Sequence, residues 1–523
     1  MILILFITTT MAAYAQRNYK RVHNRMLDEA KLMMNNGYYE EATKIYKRLL
    51  PMDSGFAEVF HEMGVCLVNI PGQKEKSVPH FEHAMRLGHL ESFYELGLAR
   101  HRQQRFDESV DLLRSYKQLH GRAVRDAEVD HRIGHAVNAK ALVREPIDVR
   151  IRNLGPMVNS PAHDYCPLVT ADGNTMYFTS RRRGTTGERK DGSGQWFEDI
   201  WMARRIDDEW TNAVNVRGPL NTAMHDATVG LSPDGRSMII YRTHPNLVSG
   251  DLYGSEYTNG KWTEPMLLTD RINSKHHEPS ASIAPGGDEI YFTSDRPGGY
   301  GGRDIYRIRR LPNGQWSLPL NLGPNVNTAH DEDAPFIHSD GVTLFFSSKG
   351  HNSMGGYDIF KTVLTDPDMN GWSIPENMGY PLNTVNDDIY FCLSEDGLTG
   401  WFSSERPGGL GMQDIYQVEF PGSQLDYLVV RGVVTDTAEE PVKARIVVTD
   451  PKSEELQGVY NSNERTGRYL LVLTPGMRYS LTVEAPGFAT RSMELHARTI
   501  NGTRELPMDI LLTRGEQSLT RHD

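Results

Sequence analysis

The sequence predicts a multidomain α plus all-β protein: α-helical repeats, then a five-bladed β-propeller, then a C-terminal transthyretin-like or immunoglobulin-like β-sandwich. Three observations carry this. Between Leu154 and Phe420 one pattern recurs five times, around Asp-Gly or Gly-Gly turns at Asp172, Asp234, Gly286, Asp340 and Asp396, spaced by 62, 52, 54 and 56 residues. A period near 50 with about four short strands per unit is the signature of radially repeated blades. Before it, residues 17–145 follow a helical period; after it, residues 425–513 alternate as short strands between turns.

At the N-terminus, Ile2 to Met11 is a short apolar run, and Ala13-Tyr14-Ala15 places small residues where a signal peptidase cuts. Residues 1–15 therefore read as an export signal, leaving Gln16 first. The run falls short of the ~20 apolar residues of a membrane span, so none is expected. No cysteine near the cut offers a site for lipid attachment.

In residues 17–145, Gly37-Tyr38-Tyr39-Glu40-Glu41-Ala42 with Tyr46, Leu49-Leu50 and Pro51 matches half of a tetratricopeptide repeat. A second copy has Met63-Gly64, Ser77, Phe81, Ala84 and Leu87; a third has Leu96-Gly97, Phe106 to Ser109, Leu112-Leu113 and Tyr116. Small residues let paired helices approach, and large ones at helical spacing fill the gap. Asp126 to Val143 reads as a capping helix, and Glu145-Pro146 ends it.

Residues 146–421 form the propeller. Four repeats end in tryptophan (Trp210, Trp262, Trp316, Trp372), but the fifth stops at Asp414-Ile415-Tyr416 without one. Ile147 to Gly155 resembles the segment Trp316 to Gly323, so it is expected to complete the last blade and close the ring, removing an exposed sheet edge. The unit at 425–513 holds about seven strands, and residues 514–523 read as a tail.

Net charge is −12, which disfavours non-specific nucleic-acid binding. Cys66, Cys166 and Cys392 are the three cysteines, without zinc spacing. Ring closure makes the strands of Cys166 and Cys392 neighbours, so a disulfide is open, with buried free thiols the expected state.

One column is acidic in every repeat: Asp164, Asp226, Glu278, Glu332 and Asp388. His163, His225 and His277 precede the first three, and Asp331 and Asp387 the others. Just before each inner strand, these residues are expected to ring one mouth of the channel. Carboxylates and imidazoles in a ring suit a cation, but a feature present in every blade points to architecture, each acid fixing a turn. Asp199, Asp251, Asp304, Asp358 and Asp414 also recur, and the Arg296 and Arg406 Pro-Gly-Gly segments read as turns, lacking the Lys-Ser ending of a phosphate loop. No nucleophile elbow or metal-binding helix motif occurs, so no catalytic, cofactor-binding or metal-binding residue is assigned.

Val169 to Ser180, Ile283 to Gly299 and Leu393 to Gly409 resemble the PD40 repeats of TolB-like propellers. Gly432 to Asp436, Gly467-Arg-Tyr469, Leu473 to Gly476 and Ala485 to Phe488 resemble the non-catalytic carboxypeptidase regulatory-like domain. Helical repeats, PD40 propeller and regulatory-like domain in this order resemble the PorE-like proteins of type IX secretion and gliding systems. The resemblance implies a non-enzymatic periplasmic scaffold, associated with the outer membrane through partners from the envelope or secretion machinery. The OmpA-like domain that such relatives use to grip peptidoglycan has no counterpart signature here, so direct peptidoglycan binding is not expected. The alternative expectation is a propeller that binds, and in one form hydrolyses, glycan or peptide through the acidic mouth.

Overall fold

The structure is a computed structural model that describes residues 20–52, 55–121, 125–170, 172–366, 370–420, 428–464, 466–474, 476–497 and 505–515. The expected leader, 1–15, and residues 516–523 of the expected tail lie outside them. The chain divides into two compact units, Met1–Glu145 and Pro146–Asp523.

The first unit is helical. Residues 20–35 form α1, followed by α2 (Tyr39–Leu49), α3 (Ala57–Asn69), α4 (Val78–Arg86), α5 (Glu91–Arg102), α6 (Phe106–His120) and α7 (Asp126–Arg144). From α2 on, each helix packs on the next. Their cores use the residues that set the helical period: Tyr46, Leu49 and Met63 in one cluster, Phe81 and Leu96 in another, and Leu113 and Tyr116 in a third. Two glycines make the close approaches. A Cβ on Gly64 would lie 2.5 Å from the Phe81 ring, and one on Gly97 2.9 Å from Leu113. No helix among the described residues is long and apolar enough to cross a membrane.

The second unit begins with five antiparallel sheets. Their inner strands are Asp164–Val169, Asp226–Leu231, Ala281–Ile283, Glu332–Ile337 and Asp388–Leu393. Each sheet continues outward through a second and a third strand, as in Thr175–Ser180 and Asp199–Ile206 of the first. Inner strands pack first on second, second on third and so on, and the first also packs on the fifth, so the sheets close a ring. The sequence makes each sheet the same way. A left-handed glycine (Gly173, Gly235, Gly287, Gly341 or Gly397) turns strand one into strand two. Alternating apolar side chains on strands two and three then fill the space between neighbouring sheets, as Phe178, Phe292, Phe346 and Phe402 do.

Closure uses both ends of the ring segment. Arg150–Asn153 pairs antiparallel with Asp414–Glu419, in the register Arg150 to Glu419 through Asn153 to Tyr416, and supplies the outer strand of the fifth sheet. The tryptophans lie elsewhere than expected. Trp210, Trp262 and Trp372 sit on short strands at the far tip of the third strand, and the outer position that matches Arg150–Asn153 is held by Val214–Asn215, Leu320–Asn321 and Glu376–Asn377. The segments before Gly155 and Gly323 match in sequence because they share this outer place.

Residues 428–515 form two four-stranded sheets around one core of Val430, Val434, Ile446, Val448, Leu471 and Leu481, among others. Leu428–Asp436 pairs antiparallel with Arg468–Leu473 and parallel with Glu505–Pro507 and Ile510–Leu512. Gly432 has no alternative there, because a Cβ would lie 1.7 Å from the Met508 carbonyl oxygen. This module rests on the strand-one turns of the third, fourth and fifth sheets. Asn463 Nδ2 donates to the Gly286 carbonyl at 2.9 Å, Val342 packs on the module's core, and Arg431 pairs with Glu395.

Ring closure gives a testable consequence. Asn159 donates to the Ile415 carbonyl and accepts from the Ile415 amide, both at 2.9 Å. Asn159→Ala strands two buried backbone groups and is expected to lower stability by ~2–4 kcal/mol. Urea unfolding measures it, and deuterium exchange is expected to rise first along residues 414–419.

Candidate functional site

The acids of the recurrent column stand at one level of the ring, but they do not line an open mouth. Asp164, Asp226, Glu332 and Asp388 are fully buried and Glu278 nearly so. Each accepts from the backbone N–H and the hydroxyl of the serine or threonine four residues earlier: Ser160, Thr222, Ser274, Thr328 and Thr384. Four also receive an arginine: Arg182 on Asp164, Arg242 on Asp226, Arg296 on Glu278 and Arg406 on Asp388. A buried carboxylate is tolerable only with such a set of donors, and once so bonded it has little capacity left for a ligand. The structure thus places the five acids inside the turns, each bonded to the loop that precedes it.

The histidines are dispersed. His163 is half-buried, and burial lowers its pKa. His225 stacks on Phe197 with ring centroids 4.0 Å apart and sets Nδ1 3.1 Å from Glu198. His277 is exposed, with its ring edge-on to Tyr241. Among the described residues no group of three or more histidines, cysteines, aspartates or glutamates is placed to hold a metal ion.

A second device repeats beside the acids. Asn159, Asn221, Asn273, Asn327 and Asn383 each lie five residues before an acid. Each side-chain amide brackets one residue of the preceding sheet's third strand, donating to its carbonyl and accepting from its N–H: Ile415, Ile200, Leu252, Ile305 and Ile359. In four sheets an outer-strand asparagine (Asn153, Asn215, Asn321 or Asn377) links this amide to the aspartate that opens the third strand. The second sheet has Leu267 at that place, and Asp251 pairs with His244 instead. The sequence signal was an Asn-Ser or Asn-Thr pair five times over, which the acidic column overshadowed.

The mouth itself is lined where the repeats differ. The residue before each third-strand aspartate is Glu198, Gly250, Arg303, Tyr357 or Gln413. At four of these five positions the backbone carbonyl accepts from the next sheet's acid residue: Glu198 to Asp226, Arg303 to Glu332, Tyr357 to Asp388 and Gln413 to Asp164. The main chain serves the ring while the side chain is left to vary.

Those side chains form two charged groups. Arg303 Nη1 lies 2.9 Å from Asp333, and Nη2 reaches Tyr357 OH and lies 3.9 Å from Asp331. Burial opposes the guanidinium charge, but Asp333 leads the carboxylates that outweigh it, so the Arg303 pKa is raised. Asp333 also accepts from Ser280 Oγ and the Ala334 amide, and Lys349 closes on Asp331 at 3.0 Å. Across the mouth, burial acts to raise Glu198, but His225 overrides it and holds the carboxyl below its ordinary value. Between the two groups Tyr165 and Tyr390 face one another across the joint of first and last sheets, centroids 5.7 Å apart.

Beneath the tyrosines the inner strands enclose a cavity of about 80 Å³ with mostly apolar walls, including Leu168, Val229, Ile283, Phe336 and Phe391. Cys166, Ala334 and Tyr390 hold left-handed φ of 53°, 49° and 60° at one equivalent position, where the inner strands bulge. Such backbone persists in non-glycine residues only when the surroundings fix it. Cys166 and Cys392 are free thiols, and burial pushes both up to about 12, so they are protonated and unreactive.

No protein-family model matches the chain, and no curated protein matches it. Solved structures similar to it include a putative TolB from Agrobacterium tumefaciens, at 15% identity and TM-score 0.31 over 62% of this chain and 96% of that one. A gluconolactonase from Xanthomonas campestris has 14% identity and TM-score 0.30, over 64% and 92%. An α-L-arabinofuranosidase from Lactobacillus brevis has 12% and 0.33, over 51% and 91%. Strand pairing and packing alone establish the ring.

Glu332 makes the role of the acids measurable, because among the described residues no arginine reaches it. Burial pushes its carboxyl from 4.5 to about 7, against the bonds from Ser348 and Thr328. Between these values the folded state holds a proton that the unfolded chain releases, so this group's contribution to stability falls as pH rises through 4.5 to 7. Glu332→Gln is expected to flatten that part of the stability–pH profile and to stabilise the protein relative to wild type above pH 7. Urea midpoints from pH 4 to 8 test this.

Proposed function

We propose that this protein is a non-enzymatic interaction component of a periplasmic envelope complex, held near the outer membrane by its partners. In this reading the helical unit is a set of tetratricopeptide repeats, the five sheets are the blades of a propeller, and residues 428–515 are a regulatory-like sandwich. The observation that supports it most is the allocation of charged groups around the ring. The acids of the column are bonded inside the sheets, and the charged residues of the mouth, Arg303 with Asp331 and Asp333 and Glu198 with His225, are matched to one another. A reactive site needs a base or nucleophile kept ready for substrate, whereas mutual pairing suits a rigid surface. The alternative of a glycan- or peptide-hydrolysing mouth has less support, since it calls on the buried acids.

Helical hairpins add a second surface of the kind that holds a helix or an extended peptide. The envelope setting, and the association with type IX secretion, come from the module order, which resembles that of PorE-like proteins. Crosslinking in intact cells followed by affinity capture and mass spectrometry tests the proposal. Envelope or secretion proteins are expected among the captured chains, enriched over an unrelated exported protein of similar size; capture of none overturns it.

A further inference from the structure

The loop that joins strands two and three, on the face of the mouth, spans 244–249, 295–303, 349–357 and 405–413 in the second to fifth sheets. In the first sheet it spans 181–198, at least twice the length of any other. Its bonds make it a fixed arm. Asp191 accepts from Arg181, from the Ser193 N–H and hydroxyl, and from the Gln195 N–H. Lys190 bridges to Trp196, Thr186 donates to the buried Asp199, and Phe197 is anchored on His225.

The arm turns three cations outward. Arg183, Arg189 and Lys190 are exposed, and among the described residues no carboxylate lies within 4.0 Å of any of them. Two are held on aromatic rings: Arg189 lies 4.7 Å from the Phe197 centroid and Lys190 4.6 Å from that of Trp196. Stacking fixes a cation without neutralising it, so less conformational freedom is lost when an anion arrives. Asp191 and Glu198 are taken up by Arg181 and His225, leaving Glu188 as the arm's other outward charge.

We propose that this arm recognises an acidic segment of a partner polypeptide. The inference rests on the interaction reading above and names the chemistry of one partner. Binding a lipid surface would need apolar side chains free to enter it, whereas both aromatic rings of the arm are covered by its own cations.

The test uses the full-length protein, labelled decaglutamate and decaglutamine peptides, an R183A/R189A/K190A variant and an R204A/R236A/K261A control of equal charge change. Decaglutamate is expected to bind and decaglutamine not. Affinity is expected to fall at least about tenfold in the arm variant and from 50 to 300 mM salt, while the control binds as wild type. Equal melting temperatures establish that the arm variant is folded. Equal decaglutamate affinity in wild type and arm variant overturns the proposal, as does no binding at 50 mM salt. Arm-dependent binding of a DNA duplex or of phosphatidylglycerol vesicles at least as tight as decaglutamate also overturns it, assigning the arm to another class of partner. In the cellular capture experiment, an arm variant that retains every partner of the wild type removes the arm and leaves the interaction reading standing.

Discussion

The ring depends on an asparagine amide that does the work of a strand. Each sheet must be joined to the next at a fixed height and angle, yet the chain between them is a loop with no ladder to set its register. An asparagine in that loop presents one N–H and one C=O to the third strand behind it, with the geometry of a neighbouring strand, and the serine or threonine that follows grips the acid that starts the sheet ahead. Six residues thus tie two sheets together through donors and acceptors that would otherwise be buried unsatisfied. Asn159 repeats the arrangement across the gap between chain ends, so the joint that closes the ring is built like those inside it.

This joint explains what can vary. Where a residue contributes only its backbone to the ring, its side chain is free of the architecture. The position before the third-strand aspartate meets that condition in four sheets, where it holds glutamate, arginine, tyrosine and glutamine. The acids beside it contribute side chains and stay acidic. Regularity and variation are therefore separated by atom type as well as by position: side chains of the repeated residues hold the sheets, and side chains of the unrepeated ones line the mouth.

The same distinction governs how much could be read from the sequence. The period, the turn glycines and the outer strand supplied by Arg150–Asn153 were legible because each leaves a repeated or complementary mark. The acidic column was legible as a column, but its direction was not, since alternation of side chains along a strand says nothing about a residue at the strand's first position. In the sequence Glu332 and Asp164 pointed to turn architecture without a named partner; in the structure Thr328 and Ser160 grip them. The mouth was invisible for the opposite reason. Arg303, Asp333 and Tyr357 come from two adjacent sheets and form one group only after the ring has closed, and nothing in their spacing marks them.

Closure also gives the ring two distinct faces. The C-terminal module lies on the turns at the ends of the inner strands, through Arg431, Asn463 and Val342, on the face opposite the tyrosine pair. That contact engages the third, fourth and fifth sheets, and it leaves the mouth, with the long arm of the first sheet, facing away from the module. A ring of five near-identical joints has no inherent front. Here the asymmetry comes from two departures on opposite faces: a module seated on three turns, and one loop at least twice as long as its equivalents. The unrepeated side chains and the long arm thus share one face of the ring, and the module has the other.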